Sequence, residues 1–422
     1  MSHTKTVLII SYYFPPMGLS GVIKTAKTAK YLAKAGWRVV VLTATPNQYY
    51  AYDDTLLEEL IEAGVHIYST PSKKQPKPGE TSPLPGFVEN TIIKPLQSQI
   101  YFPDPAIRWK RIALAAAEGI INEYNVSLLI SVSPPLSNHV ITDLIAEKFQ
   151  IPFILDYQDE WTKGMTVDST KKLKSTAHQK LENHLLNRTA KILVPSRLAK
   201  EQMIKEYRFL DHDDIMIFPA GFDPDDIKDI EINARAGDRF TIVHAGLVDD
   251  AGYFHDFLNA IKNFIVNTPE AQSKIKLSLP GIIAPKTSAI IEKLGLQSVI
   301  DSPGYIHHKA LFATMKQATA LLATTKSMYR IPSKMYEYAA IEKPLIVISP
   351  EHSAAYKMAM ESGAGHCASP MNKGEIESMI RSLFYSWKSG TLPKVKPGFS
   401  SQYAITSTIE DLSIACTKAI RL

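Results

Sequence analysis

Cysteine is nearly missing: the 422-residue chain has two, Cys367 and Cys416, and neither sits in a metal-ligand spacing. A disulfide framework is thereby excluded, and a reducing compartment fits the composition. Long hydrophobic runs are missing too. No stretch reaches the roughly 18 apolar residues that a membrane-spanning helix needs, and the candidate at 112–121 is short and contains Glu118. The apolar run at 7–10 is too short for the core of a signal peptide. Excess charge is small: 47 Lys+Arg against 42 Asp+Glu leave a net +5. That balance permits an anionic substrate or an anionic membrane surface without demanding either, and no nucleic-acid partner is expected. These absences leave a cytoplasmic protein with, at most, a peripheral hold on the inner face of a membrane. The dinucleotide fingerprint G-x-G-x-x-G is also missing. Gly18 and Gly21 stand three apart with no earlier partner, so no nicotinamide cofactor is expected.

What is present is ordinary globular composition, 45% hydrophobic and 21% charged, at a length that two domains divide naturally. Residues 6–11 form a nearly continuous apolar run, the pattern of a buried parallel strand. A loop with two prolines and two glycines follows, then a helical pattern over 22–35 and a strand over 37–43, a Rossmann-like opening. In that helix Ala26, Ala29, Leu32 and Ala33 share a face, while Lys24, Lys27, Lys30 and Lys34 spread over the arc expected to meet solvent. Lys24 is set apart, because it lies in the first turn beside the Gly18–Gly21 loop, where a ligand can approach the backbone. Helical patterns over 108–124, 140–149, 178–188 and 197–207 then alternate with strands over 128–133, 153–156 and 191–195. Polar residues collect just past two strand ends, Ser131 to His139 and Asp156 to Glu160, where open α/β sheets bind ligands. His139 is a candidate hydrogen-bond donor or acid/base group, with a plain helix-capping role as the other reading. Asp159 and Glu160 point to opposite sides of an extended chain, and Asp159 is taken as the inward one. Segment 71–85 reads as a surface excursion rich in Pro, Lys, Ser and Gly. Segment 87–111 mixes apolar and basic residues and is the candidate docking surface for a membrane or acceptor, a packed helix pair being the other reading.

A Pro/Gly/Asp cluster at 218–226 reads as an interdomain linker, after which the alternation restarts. The expected division is an N-terminal domain over 1–215, a C-terminal domain over 216–398 and a last helix, 399–422, crossing back to the first half. The second half runs through a strand over 240–244 before Gly246, a helix over 254–266, a strand over 275–279 and the segment Gly304-Tyr305-Ile306. Its richest stretch is 330–348: a loop carrying Arg330 and Ser333, a helix over 334–340 opened by Pro332, a turn, and a buried strand over 345–348. A helix starting at a strand's C-terminal end offers backbone N–H groups and a positive dipole end to phosphate. Lys334 adds a charge in that first turn, and Glu337, one turn on, can accept two hydrogen bonds from a diol such as a ribose. From this stretch alone, a nucleotide-diphosphate site and an ordinary αβ unit with solvated Lys and Glu stand level.

The order of these segments resembles family 4 glycosyltransferases over nearly the whole chain. Tyr13-Phe14-Pro15-Pro16, Gly18, Gly21, Lys24 and the run from Gly36 to Thr43 are similar to that family's opening. Phe102-Pro103-Asp104 with Trp109, Ser131 to His139, and Pro152 to Trp161 are similar to its middle segments. Pro219-Ala220-Gly221-Phe222-Asp223 looks like its linker, and Pro332-Ser333-Lys334-Met335-Tyr336-Glu337-Tyr338 like its Pro-x-Lys-x-x-Glu-Tyr site. The resemblance implies the GT-B fold, two Rossmann-like domains facing each other across a cleft. It also implies retaining, metal-independent transfer from a nucleotide-diphosphate sugar, used as co-substrate with no further cofactor. By position, Glu337 would bind the donor ribose, Lys334 and the helix start the diphosphate, and Gly18, Gly21 and Lys24 the phosphates from the other domain. Gly246, Tyr329, Arg330 and Ser333 would line the donor site, Tyr305 and Ile306 would flank the base, and Asp159 or His139 would face acceptor or transferred sugar.

Three departures from the family pattern stand out. Tyr329 replaces a Glu, the segment 246–252 lacks an Arg and Lys pair and carries Asp249 and Asp250, and Gln158 replaces a His. Arg330 or Lys326 could supply the missing charge. The leading expectation is an enzyme that moves a sugar to a glycan or lipid-linked acceptor in surface polysaccharide biosynthesis. A catalytically degenerate relative that binds nucleotide or a partner without turnover, and a sugar-nucleotide epimerase, are the alternatives.

Overall fold

The computed structural model describes residues 5–18, 20–45, 49–71, 77, 79–84, 97, 100–161, 172–228, 230, 238–248, 253–370 and 372–421. They form two compact units, Met1–Ala220 with Ile405–Leu422, and Gly221–Ala404. The first unit holds a parallel sheet of β1 (Thr6–Ile10), β2 (Arg38–Ala44), β3 (His66–Thr70), β4 (Leu128–Ser133), β5 (Phe153–Tyr157), β6 (Lys191–Val194) and β7 (Ile215–Ile217). Its seven strands run in the order β3-β2-β1-β4-β5-β6-β7. The second unit holds β8 (Phe240–Val243), β9 (Ile275–Pro280), β10 (Ile300–Gly304), β11 (Ala320–Thr324), β12 (Leu345–Ile348) and β13 (Gly365–Ala368). These six strands are also parallel, in the order β10-β9-β8-β11-β12-β13. Each sheet thus repeats the doubly wound plan, with helices covering both faces.

The apolar runs explain why these strands are central. In β1 all five residues are buried. Leu8 and Ile10 enter one core with Val40, Leu42 and Leu129, whereas Val7 and Ile9 enter the opposite core with Val39, Val41, Leu128 and Ile130. This alternation is the period of two in an extended chain whose faces are both covered. In the second unit Phe240, Ile242, Leu277, Leu279, Leu322, Ile346 and Ile348 face the helices Phe254–Asn267 and Lys373–Lys388 through Phe257, Ile261, Phe264, Ile380 and Phe384.

One expectation is corrected here. The lysines of the helix Ser20–Lys34 do not form a solvated row: Lys24, Lys27 and Lys30 are buried, and only Lys34 is exposed. Lys27 and Lys30 both reach Glu59, at 2.7 and 2.6 Å, from the adjoining helix Asp54–Glu62. That helix went unassigned from sequence, so its carboxylate was not available to pair with them. Among the described residues, no helix is long and apolar enough to cross a membrane.

The last helix, Ile405–Ala419, belongs to the first unit. Ile405, Ile409, Leu412, Cys416 and Ala419 recur at helical spacing and join the core around Val7, Ile9 and Tyr31. Trp37 donates its indole N–H to Ser413 at 2.8 Å on the same contact. Leu412 is fully buried, so Leu412→Ala should cost roughly 2–5 kcal/mol. Urea unfolding of the full chain reads this, and an unchanged midpoint would show that the helix adds little to that core.

Candidate functional site

In the second sheet the strand order turns outward in both directions from the adjacent pair β8 and β11, so the segments leaving their C-terminal ends diverge and open a crevice. From β8 comes His244-Ala245-Gly246. The N–H of Gly246 bonds the Pro280 carbonyl at 2.8 Å, and that of Ala245 bonds the Tyr338 hydroxyl at 2.9 Å. Gly246 and Gly281 have φ of +100° and +147°, and a Cβ on Gly281 would lie 2.0 Å from the Gly246 carbonyl oxygen. No side chain fits there, and the backbone approach is a glycine pair by necessity.

From the other side comes the helix Lys334–Ile341, opened by Ser333 with helical backbone and no side-chain cap. Ser327 Oγ accepts from the N–H groups of Tyr329 (3.1 Å) and Arg330 (2.8 Å), tightening the loop before it. Lys334 Nζ lies 3.1 Å from His244 Nε2, and 3.7 Å from where a Gly246 side chain would begin. His244 Nδ1 is 2.9 Å from the Leu322 carbonyl, which can only accept. Nδ1 therefore carries the proton, and Nε2 presents a lone pair to Lys334. Burial, and then the Lys334 charge, push His244 down to about 3. The imidazole stays neutral and aims the ammonium group.

Glu337 is buried on the same helix. Its Oε1 accepts from His308 Nε2 at 2.7 Å, and His308 Nδ1 lies 3.7 Å from Asp226 Oδ2. Tyr305 and Ile306 follow β10 and are partly buried, and they precede His308, which opens the helix His308–Lys316. The structure thus brings Gly246, Ser333, Lys334 and Glu337 to one sheet end, with Tyr329 and Arg330 in the loop that enters it. Lys326 sits 5.7 Å over the Tyr253 ring. Asp249 and Asp250 lie outside the described residues. Sequence reasoning passed over His244, Gly281 and His308. A His two residues before a Gly at a strand end, and the Pro-Gly and His-His pairs past strand ends, were the signals available.

In the first unit β1 and β4 form the corresponding adjacent pair. Gly18 bonds the Ala51 carbonyl at 3.0 Å, and Gly21 lies in the first helical turn with nothing within 4 Å of where a Cβ would stand. Lys24 is turned inward, 2.6 Å from Asp156 Oδ1 and 4.8 Å over the Phe218 ring, so a carboxylate already meets its charge. Gln158 donates to Thr25 Oγ1 at 3.1 Å. Asp159 is partly exposed, and its Oδ1 accepts from the Glu160 N–H at 3.2 Å. Asp104 caps the helix Ser137–Phe149, accepting from the Ser137 N–H at 3.0 Å and hydroxyl at 2.7 Å. His139 is wholly buried in that first turn, its Nδ1 2.6 Å from Ser131 Oγ, and burial pushes it down to about 3. No hydrogen-bond partner meets its Nε2 among the described residues.

The expected docking segment divides. Residues 87–96, 98 and 99 lie outside the described ones, as do 72–76, 78 and 85 of the excursion. Ile100 and Phe102 are exposed, whereas Trp109 is core, its indole bonding Thr70 at 2.8 Å.

Residues 25–226 match the profile of Glycosyltransferase Family 4. The whole chain is similar in fold to solved structures. Sucrose-phosphate synthase from Thermosynechococcus elongatus aligns at 12% identity, 98% of each chain and a TM-score of 0.67. A glycosyltransferase from Rickettsia africae aligns at 15% identity, 99% of each chain and 0.65. Anabaena HepE in complex with UDP and glucose aligns at 12% identity, 99% of each chain and 0.62. No curated protein matches the sequence. The likeness in fold to GT-B glycosyltransferases is thereby shown: two parallel-sheet α/β units of the Rossmann type.

Two buried histidines set an acid limit. His139 and His244 titrate near 3 when folded, against 6.5 otherwise. The unfolded chain therefore takes up protons first as pH falls, so their contribution is complete above 6.5 and is lost progressively toward 3. Each adds up to about 1.4 kcal/mol per pH unit to the slope of stability in that window. His139→Gln should flatten the slope measured by urea unfolding from pH 6.5 to 4. An unchanged slope would mean that His139 protonates freely in the folded protein.

Proposed function

We propose that the protein is a retaining glycosyltransferase that moves a sugar from a nucleotide-diphosphate sugar to a glycan or lipid-linked acceptor in surface polysaccharide biosynthesis. One observation carries this reading: Lys334, aimed by a neutral imidazole, stands at a helix start beside the side-chain-free Gly246 at the switch point of the second sheet. Such a place holds a diphosphate, because helix N–H groups and an ammonium group both face the charge. As the bond from the anomeric carbon to the leaving phosphate breaks, negative charge grows on the diphosphate, and these groups stabilise it without a metal. The acceptor oxygen bonds the same face of the sugar, and its proton passes to the departing phosphate oxygen. Glu337 takes the ribose hydroxyls, with Tyr305 and Ile306 beside the base. Asp159 faces the acceptor or sugar, and His139 fixes Ser131 behind it. Cytoplasmic residence with peripheral contact to an anionic membrane through the surface around Ile100 and Phe102 belongs to the same proposal.

HepE was solved with UDP, which makes UDP the first nucleotide to test, followed by GDP and ADP. Calorimetry of the full chain should find one nucleoside diphosphate bound with no requirement for magnesium. Lys334→Ala should weaken it by at least about 10-fold, since hydrogen bonds to charged groups contribute roughly 1.5–3 kcal/mol. The free nucleoside should change little. Equal losses for nucleoside and diphosphate would make Lys334 a structural residue. Proton NMR of the transferred sugar should show the donor's anomeric configuration, and inversion would overturn the retaining mechanism. Tight binding without transfer would favour the degenerate alternative, to which Tyr329 in place of a Glu points.

A further inference from the structure

His308 has no place in the motif that carries Lys334 and Glu337, yet it makes the hydrogen bond that holds Glu337. It is 6% exposed, and its ring meets Phe312 edge-on at 5.3 Å. Its Nε2 lies 2.7 Å from Glu337 Oε1, and its Nδ1 lies 3.7 Å from Asp226 Oδ2, so the imidazole stands between two buried carboxylates. An ionised carboxylate accepts only, so the short contact places a proton on Nε2. Among the described residues, no other side chain hydrogen bonds the Glu337 carboxylate. A carboxylate this enclosed needs such a partner, and a single partner on one oxygen also fixes the plane of the group.

We infer that His308 is the positioning residue for diol recognition. It occupies Oε1 and fixes the carboxylate plane, leaving Oε2 and the second lone pair of Oε1 for two ligand hydroxyls. Preference for a ribonucleotide over its deoxy counterpart therefore runs through His308, a residue that does not itself touch the ligand. This rests on the nucleotide reading of the Glu337 site.

The test is calorimetry of the full chain with UDP, GDP and ADP, each beside its 2′,3′-dideoxy form. The wild-type protein should prefer the ribose form of its nucleotide by at least about 10-fold, equivalent to about 1.4 kcal/mol. In His308→Leu that preference should collapse to within about 2-fold, while affinity for the dideoxy form stays near the wild-type value. His308→Gln, which keeps an N–H donor, should retain most of the preference. His308→Asn, whose amide is shorter, gives the comparison should the Leu variant fail to fold. A His308→Leu protein that keeps its ribose preference overturns the inference and leaves the nucleotide reading standing. Equal weakening of both forms also overturns it, because that is the mark of a purely structural residue. No ribose preference in the wild type with any of the three overturns the nucleotide reading at Glu337 and the inference with it.

Discussion

The pairing of β8 with β11 is the constraint on which the site depends. Ile242 and Val243 lie opposite Ala320 and Leu321, in parallel register. That register brings His244, just past β8, within 2.9 Å of the Leu322 carbonyl. The carbonyl fixes which ring nitrogen carries the proton, and the other nitrogen then accepts from Lys334. Burial keeps the ring neutral, so the ammonium meets a dipole rather than a second charge. Strand pairing, tautomer and cation position form one chain of cause, and loosening the first link would release the last.

The two units use one strand order in different ways. In the second, the crevice beside β8 is kept clear by two glycines whose backbones nearly touch, and its lysine faces a neutral imidazole. In the first, the helix after β1 carries Lys24, whose charge is met by a buried carboxylate 2.6 Å away. A buried ion pair orders the interior at a desolvation cost. The proposed diphosphate site accordingly lies in the second unit, where the lysine meets the imidazole, while in the first unit Asp159 is partly exposed and His139 is enclosed.

Much of the fold was legible because central parallel strands write continuous apolar runs. The strands expected over 128–133 and 345–348 are β4 and β12 residue for residue, and the helix expected over 334–340 is one residue longer. Helices and strands at the margins were not. β7 has three residues, β3 is only partly buried, and the helices Asp54–Glu62, Pro285–Leu294 and Ala354–Glu361 are short. Such segments take their order from tertiary packing more than from periodicity. The site was legible where its residues share one helix, as Lys334 and Glu337 do. It was not legible where partners meet across the fold, as His244 with Lys334, His308 with Glu337, and Glu59 with two lysines. Burial of those lysines depends on a carboxylate that no local pattern announces.

Hydrogen–deuterium exchange of the full chain, with and without a saturating nucleoside diphosphate chosen from UDP, GDP and ADP, tests the central claim most directly. The account predicts slowed exchange confined chiefly to 244–248 and 327–337, the segments that leave β8 and β11 and open the helix Lys334–Ile341. Protection centred elsewhere, or none with any of the three nucleotides, would contradict the assignment of a nucleotide-diphosphate site to that crevice.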